Sequence, residues 1–244
     1  MKPFAKIAAI IASAALALSA LGCSSAPAAS QPAGPDFDVQ DIQVSNPGYA
    51  ITDEGKLRYA FVAVNPNEGH VAQEVIFTVE AHDANGSMIA GGGETIAALY
   101  PGVETPGSGE VDLFSPDTDN PEVANLTIVA MMDSVVWADT TLSNADIEGA
   151  IDIVSPRMAP GDDGSLSIMA TIGMKSDDGD SGLASMEARA VAVLFDESGN
   201  ALCGTSPVTF ALSKDGEDYA FEASIPNAPE YKECNLYVTP NALV

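Results

Sequence analysis

Residues 80–91, EAHDANGSMIAG, recur further along the chain as residues 193–204, VLFDESGNALCG. Each block is an apolar run, a short polar turn and a second apolar run. Asn85-Gly86 and Ser198-Gly199 sit at the turns, and Gly takes positive φ without steric cost, so each block predicts a β-hairpin. Working outward, residues 47–57 (PGYAITDEGKL) lie against residues 156–166 (PRMAPGDDGSL) at an offset of 109, which brings Asp53-Glu54-Gly55 onto Asp162-Asp163-Gly164. The hairpin blocks follow at an offset of 113, and Asn125-Leu126-Thr127-Ile128 meets Asn235-Leu236-Tyr237-Val238 at 110. The four extra residues fall in the acidic loop 176–182. Three blocks in one order predict a duplicated unit.

Each copy reads as short strands. Residues 57–64 (LRYAFVAV), 75–81, 188–195 and 236–239 are rich in β-branched and aromatic side chains. Pro and Gly punctuate the gaps, as at Tyr100-Pro101-Gly102. Strands this closely spaced, without sustained helical periodicity, predict an all-β chain of two tandem antiparallel β-sandwiches. Residues 144–149 are expected to hold a helical turn at most. The boundary falls near Ser143, with Val135-Val136-Trp137 as the last strand of the first copy and Trp137 in its core, packing between the domains being the alternative.

The chain has 244 residues, 46% of them hydrophobic, so a sizeable core can be buried. Nine Lys and Arg stand against 35 Asp and Glu, a net charge of −26. That balance excludes nucleic acid as a partner, because phosphate needs clustered cations. It equally disfavours a surface that adheres to anionic lipid.

The first 23 residues read as an export signal. Lys2 and Lys6 precede an apolar stretch, residues 7–21, which is short for a membrane span. It ends in Ala20-Leu21-Gly22-Cys23, which resembles the lipobox of bacterial lipoproteins; Ala20 stands where that family usually has Leu. The resemblance implies cleavage after residue 22 and acylation of Cys23 (palmitate among the chains), anchoring the protein in a bilayer. Each buried methylene contributes about 0.8 kcal/mol, so two or three acyl chains hold firmly. Ser24 stands where the family's inner-membrane retention signal is usually Asp, so the expected address is the bacterial cell membrane or outer membrane, on its extracytoplasmic side. Residues 23–35 then form a charge-free Ser/Ala/Pro/Gly tether. The expected organisation is a signal peptide at 1–22, lipidated Cys and tether at 23–35, and sandwiches at 36–143 and 144–244.

Val64-Asn65-Pro66-Asn67, His82-Asp83-Ala84-Asn85-Gly86 and Leu99-Tyr100-Pro101-Gly102 occur in that order, and Leu194-Phe195-Asp196-Glu197-Ser198-Gly199 keeps the middle motif in the second copy. This order resembles the FxLYD-type, immunoglobulin-like domains of bacterial envelope lipoproteins. It departs from them at Ala81-His82, where an aromatic pair is usual, and after Phe210, where no Pro-Gly follows. The resemblance implies immunoglobulin-like sandwiches and a non-enzymatic extracytoplasmic role.

With Cys23 acylated, Cys203 and Cys234 remain as a pair in an exported chain, where disulfides persist. Subtracting the repeat offsets places Ala90 and Ala124 at the matching positions, two small residues consistent with neighbours across adjacent strands. A bridge is therefore expected; two buried free thiols are the alternative. His82 with Asp83 and Ser87 could compose a nucleophile system, but Asp and Ser belong in a hairpin turn anyway. No G-x-S-x-G or H-E-x-x-H occurs. Asp162-Asp163-Gly164, Asp117-Thr118-Asp119 and Asp177-Asp178-Gly179-Asp180 offer carboxylates for calcium, yet none follows the EF-hand loop. No catalytic residues, metal or cofactor are assigned. The expected role is a non-catalytic binding or scaffold module whose partners are the bilayer, an envelope protein or a cationic peptide. The alternatives are a ligand-capturing component of a transport system and an unfamiliar carboxylate-based enzyme.

Overall fold

The computed structural model describes residues 37–114, 122–175 and 184–243. Cys23, the leader and the tether lie outside them, as do the acidic stretches 117–119 and 177–180. Most of the described residues are in strands. In the first half these are β1 (Gln43–Ile51), β2 (Lys56–Val64), β3 (His70–His82), β4 (Met88–Leu99), β5 (Thr105–Asp112), β6 (Asn125–Ala130) and β7 (Val136–Asp139). A 3-10 turn, Met132–Ser134, separates β6 from β7, and one helix, α1 (Asn144–Ala150), joins the halves. The second half holds β8 (Ile151–Pro160), β9 (Leu166–Met174), β10 (Ser185–Phe195), β11 (Ala201–Gly204), β12 (Val208–Ser213), β13 (Tyr219–Ile225) and β14 (Glu233–Leu243). The all-β sandwich class expected from the sequence is what the structure shows. Helix α1 is longer than the single turn expected, because Ser143 and Asp146 close a capping box and Ile147 and Ala150, three apart, bury one face.

Four antiparallel sheets result, in the orders β1-β2-β5, β4-β3-β6 with β7 also on β3, β13-β9-β8, and β11-β10-β12 with β14 also on β10. The repeat is written into the backbone. Register breaks between Ser45 and Gly48 in β1 and between Val154 and Arg157 in β8. Inside these bulges Asn46 and Ser155, 109 positions apart, take φ of 51° and 52°. Asp83 Oδ1 accepts the N–H groups of Asn85 and Ser87 at 2.8 and 2.9 Å; Asp196 Oδ1 accepts those of Ser198 and Asn200 at 2.8 Å. Gly86 and Gly199 complete both turns at φ of 80° and 81°. The third block aligns differently from the sequence match. Ala81 pairs with Leu126, and its counterpart Leu194 pairs with Cys234. The true match is therefore Leu126 to Cys234, two residues away from the one read in the sequence. A slip of two preserves which side chains face inward, so the pattern alone could not detect it.

Within the first half, Leu57, Tyr59 and Phe61 of β2 meet Val75, Phe77 and Val79 of β3. Within the second, Ile168 and Ile172 of β9 meet Ala188, Ala192 and Leu194 of β10. A third cluster joins the halves: Ala60 and Val62 on the other face of β2 pack with Val191, Val193 and Phe195 on the other face of β10. Strands β2 and β10 are thus buried on both faces, and residues 37–244 form one compact unit. Val71, Ala98, Tyr100 and Val103 of the first half also join the second half's core. Ser108 Oγ donates to Thr205 O at 2.7 Å, and the Arg58 guanidinium donates to Pro226 O.

Candidate partner-binding groove

The motif residues near the first corner hold the fold. Asn65 is fully buried. Its Nδ2 donates to His70 O and Leu99 O at 2.7 and 3.0 Å, and its Oδ1 accepts the Asn67 N–H at 2.9 Å. Asn67 then bonds both backbone groups of Gln40, fixing the chain ahead of β1. Phe37 stacks on the His70 ring at 3.7 Å and meets Trp137 edge-on at 5.3 Å. Trp137 is half-buried against the first-half core, as expected.

His82 Nε2 lies 3.8 Å from Glu80 Oε2. Asp83 is held by the backbone of its own turn, and those N–H bonds keep its carboxyl below the usual range. The structure thus gives His82 a Glu80 neighbour and leaves Asp83 and Ser87 in the turn. Asp163 similarly accepts the Ser165 N–H at 3.0 Å. Among the described residues no three His, Cys, Asp or Glu gather as a metal site.

The expected disulfide is not formed. Cys203 and Cys234 are free thiols, facing Leu194 from opposite sides because β11 and β14 flank β10. Adjacent strands are ~4.8 Å apart, so the two backbones stand ~9.6 Å apart, beyond the ~7 Å a disulfide spans. Leu126, not Ala124, is the counterpart of Cys234. Burial pushes both thiols up to about 11. A thiol reagent without reductant is expected to titrate both residues in denaturant. In the native protein at pH 8, Cys203 should react ~100-fold or more slowly. Finding neither thiol in denaturant would show that they are bridged.

A feature the sequence reading missed lies at the first half's open edge. Strands β1 and β6 each end a sheet, and between them runs a cavity of about 680 Å³. Ile42, Val44 and Ile128 line it, the 3-10 turn brings Met131 and Met132 to one end, and Asp41 and Asp133 add carboxylates. Val129 and Met131, which also line it, are exposed, as are Ile76 and Val136. In the second half one strand, β14, pairs with β10 from Glu233 to Leu243 with a register shift near Pro240, where the first half interrupts β6 and β7 with the turn. The available signal was the charge-free run 123–132, VANLTIVAMM, ending in two methionines, side chains that adapt to varied apolar partners. Compared with protein-family models and with curated proteins, the chain matches none.

Proposed function

We propose that this chain is a lipid-anchored, extracytoplasmic, non-catalytic binding module of the bacterial envelope, built as two immunoglobulin-like sandwiches behind a tether. The observation that carries the binding role is the apolar groove between the edges of β1 and β6. Exposed apolar surface concentrated at an unpaired strand edge is where proteins receive one another. The leader supports the address: an apolar stretch closing on Ala20-Leu21-Gly22-Cys23, then a charge-free tether. A scaffold role fits the same features, since a compact unit on a tether holds whatever docks at a set reach from the bilayer.

Intact-mass and peptide analysis of the protein from bacterial membranes tests the anchor. The mature chain is expected to begin at Cys23 with acyl chains attached, and Cys23→Ser is expected to remain unprocessed. A chain that keeps residues 1–22 and carries no lipid would overturn the reading.

A further inference from the structure

We propose that β6 receives, by strand addition, an extended cationic segment of a partner protein in which Lys or Arg alternates with aliphatic residues. This rests on the binding-module reading above and names the partner chemistry of that groove. Among the described residues, strand β6 pairs with β3 on one side and with no strand on the other. Its sequence, NLTIVA, has neither Pro nor Lys, and its register with β3 is unbroken. Those are the devices that normally blunt an edge. They are present nearby: β1 carries Pro47 and a bulge at Asn46, and β14, the counterpart of β6 and β7, carries Pro240. Of β1, β6 and β14, β6 alone keeps an edge without these devices.

The groove selects one face of an added strand. A strand presents alternate side chains to opposite sides. Placed beside β6, one set of side chains enters the groove over Ile42, Val44 and Ile128, which calls for aliphatic residues. The other set lies on the outer face beside Val129 and Thr127, where Thr127 stands opposite Glu80.

Charge decides that second set. Between Arg58 and Arg157 the sequence has 16 Asp and Glu and no Lys or Arg. This stretch supplies all of β3, β4, β6 and β7, so the sheet beside the groove carries acids and no Lys or Arg of its own, with Glu94 of β4 paired to Arg189 of β10. Lys and Arg can lay their aliphatic stems over exposed Val129 and Ile76 while their heads reach Glu80 and Asp133. An acidic segment would meet only repulsion there.

The test uses the full acylated chain in detergent micelles and a capped octapeptide alternating Lys and Val. The comparison peptides alternate Glu and Val, or carry N-methyl groups on every amide of the Lys–Val sequence. The Lys–Val peptide is expected to bind one per chain with a Kd of ~10–100 μM, weakening as salt rises. Backbone amide exchange should slow within residues 125–130. The N-methylated peptide is expected to bind at least ~10-fold more weakly, because strand addition needs its N–H donors. Val129→Lys, an exposed position, should cost a similar factor and leave the melting temperature unchanged. Equal binding of the N-methylated or Glu–Val peptide, or no effect of Val129→Lys, overturns strand addition at β6. Acylation of Cys23 is read separately by mass, so failure of peptide binding on an acylated chain leaves the anchor standing.

Discussion

Arg189→Met is expected to lower the unfolding free energy by about 3–5 kcal/mol, the cost of leaving a buried partner charge unpaired. The Arg189 side chain is 4% exposed and that of Glu94 10%, with Nη2 and Oε1 2.5 Å apart. Arg189 comes from β10 and Glu94 from β4, so the pair ties the halves together. Arg189 Nη1 also donates to Pro106 O at 2.5 Å. Gly107 makes the space: a Cβ there would collide with the Phe61 ring and stand 2.9 Å from Glu94 Oε2. Chemical denaturation at constant pH measures the loss. Arg189→Met combined with Glu94→Leu should recover most of it, since no charge is then stranded. A double variant no more stable than Arg189→Met would mean that lost packing, and not the stranded carboxylate, sets the cost.

The same pair sets a pH dependence. Burial pushes the Glu94 carboxyl from 4.5 up to about 7, against the opposing pull of Arg189 and a hydrogen bond from the Ser108 backbone. The folded state therefore holds this proton more tightly than the unfolded chain. Its contribution is fully present below pH 4.5 and is lost as pH rises through about 7. Each pKa unit is worth about 1.4 kcal/mol, so across that window the protein should lose about 3 kcal/mol more stability than Glu94→Gln does. Parallel pH curves for the two proteins would count against it. Tyr59 faces the same carboxylate, and burial with that charge pushes its hydroxyl up to about 12, so it stays neutral throughout the window.

Gly48→Ala is expected to destabilise by about 3 kcal/mol, at the upper end of overpacking costs. Gly48 closes the β1 bulge against β11, and an added Cβ would overlap the carbonyl oxygen of Ala201. That oxygen is backbone and Ala201 is fully buried, so the strands themselves must part. Gly149→Ala in α1 is the contrast: nothing lies within 4 Å of its Cβ, and Ala should be neutral or stabilise by up to about 1 kcal/mol. Thermal denaturation of both variants checks the pair. Similar melting temperatures would show that β1 and β11 do not pack this closely.

Local features were legible in the sequence. Asn85-Gly86 and Ser198-Gly199 each dictate a turn that few other residues accept. The match of residues 47–57 with 156–166 begins just after Asn46 and Ser155, the positive-φ residues of the two bulges, which the repeat pattern does not itself reveal. The close joining of the halves was also encoded: Tyr59-Ala60-Phe61-Val62-Ala63 and Ala190-Val191-Ala192-Val193-Leu194 are unbroken apolar runs. A strand with one wet face alternates, and these do not, because each is buried on both sides. Their residue types mark them as strands, and their lack of alternation marks them as covered on both faces. The cysteine geometry was hidden for a different reason. A two-residue slip costs nothing in periodicity, so only the observed register could place Cys234 beyond Leu194.

The packing of β2 against β10 has a consequence for self-assembly. The first half contributes its β1-β2-β5 sheet and the second contributes the counterpart of the first half's other sheet, so unlike surfaces meet. A head-to-tail contact of this kind has no built-in stopping point and, repeated between molecules, would grow a fibre. Composition differs at the positions that would carry such growth. Where β10 carries Val191, Val193 and Phe195, the matching places on β3 hold Thr78, Glu80 and His82. That face of β3 offers three polar groups where β10 offers its partner sheet three apolar ones.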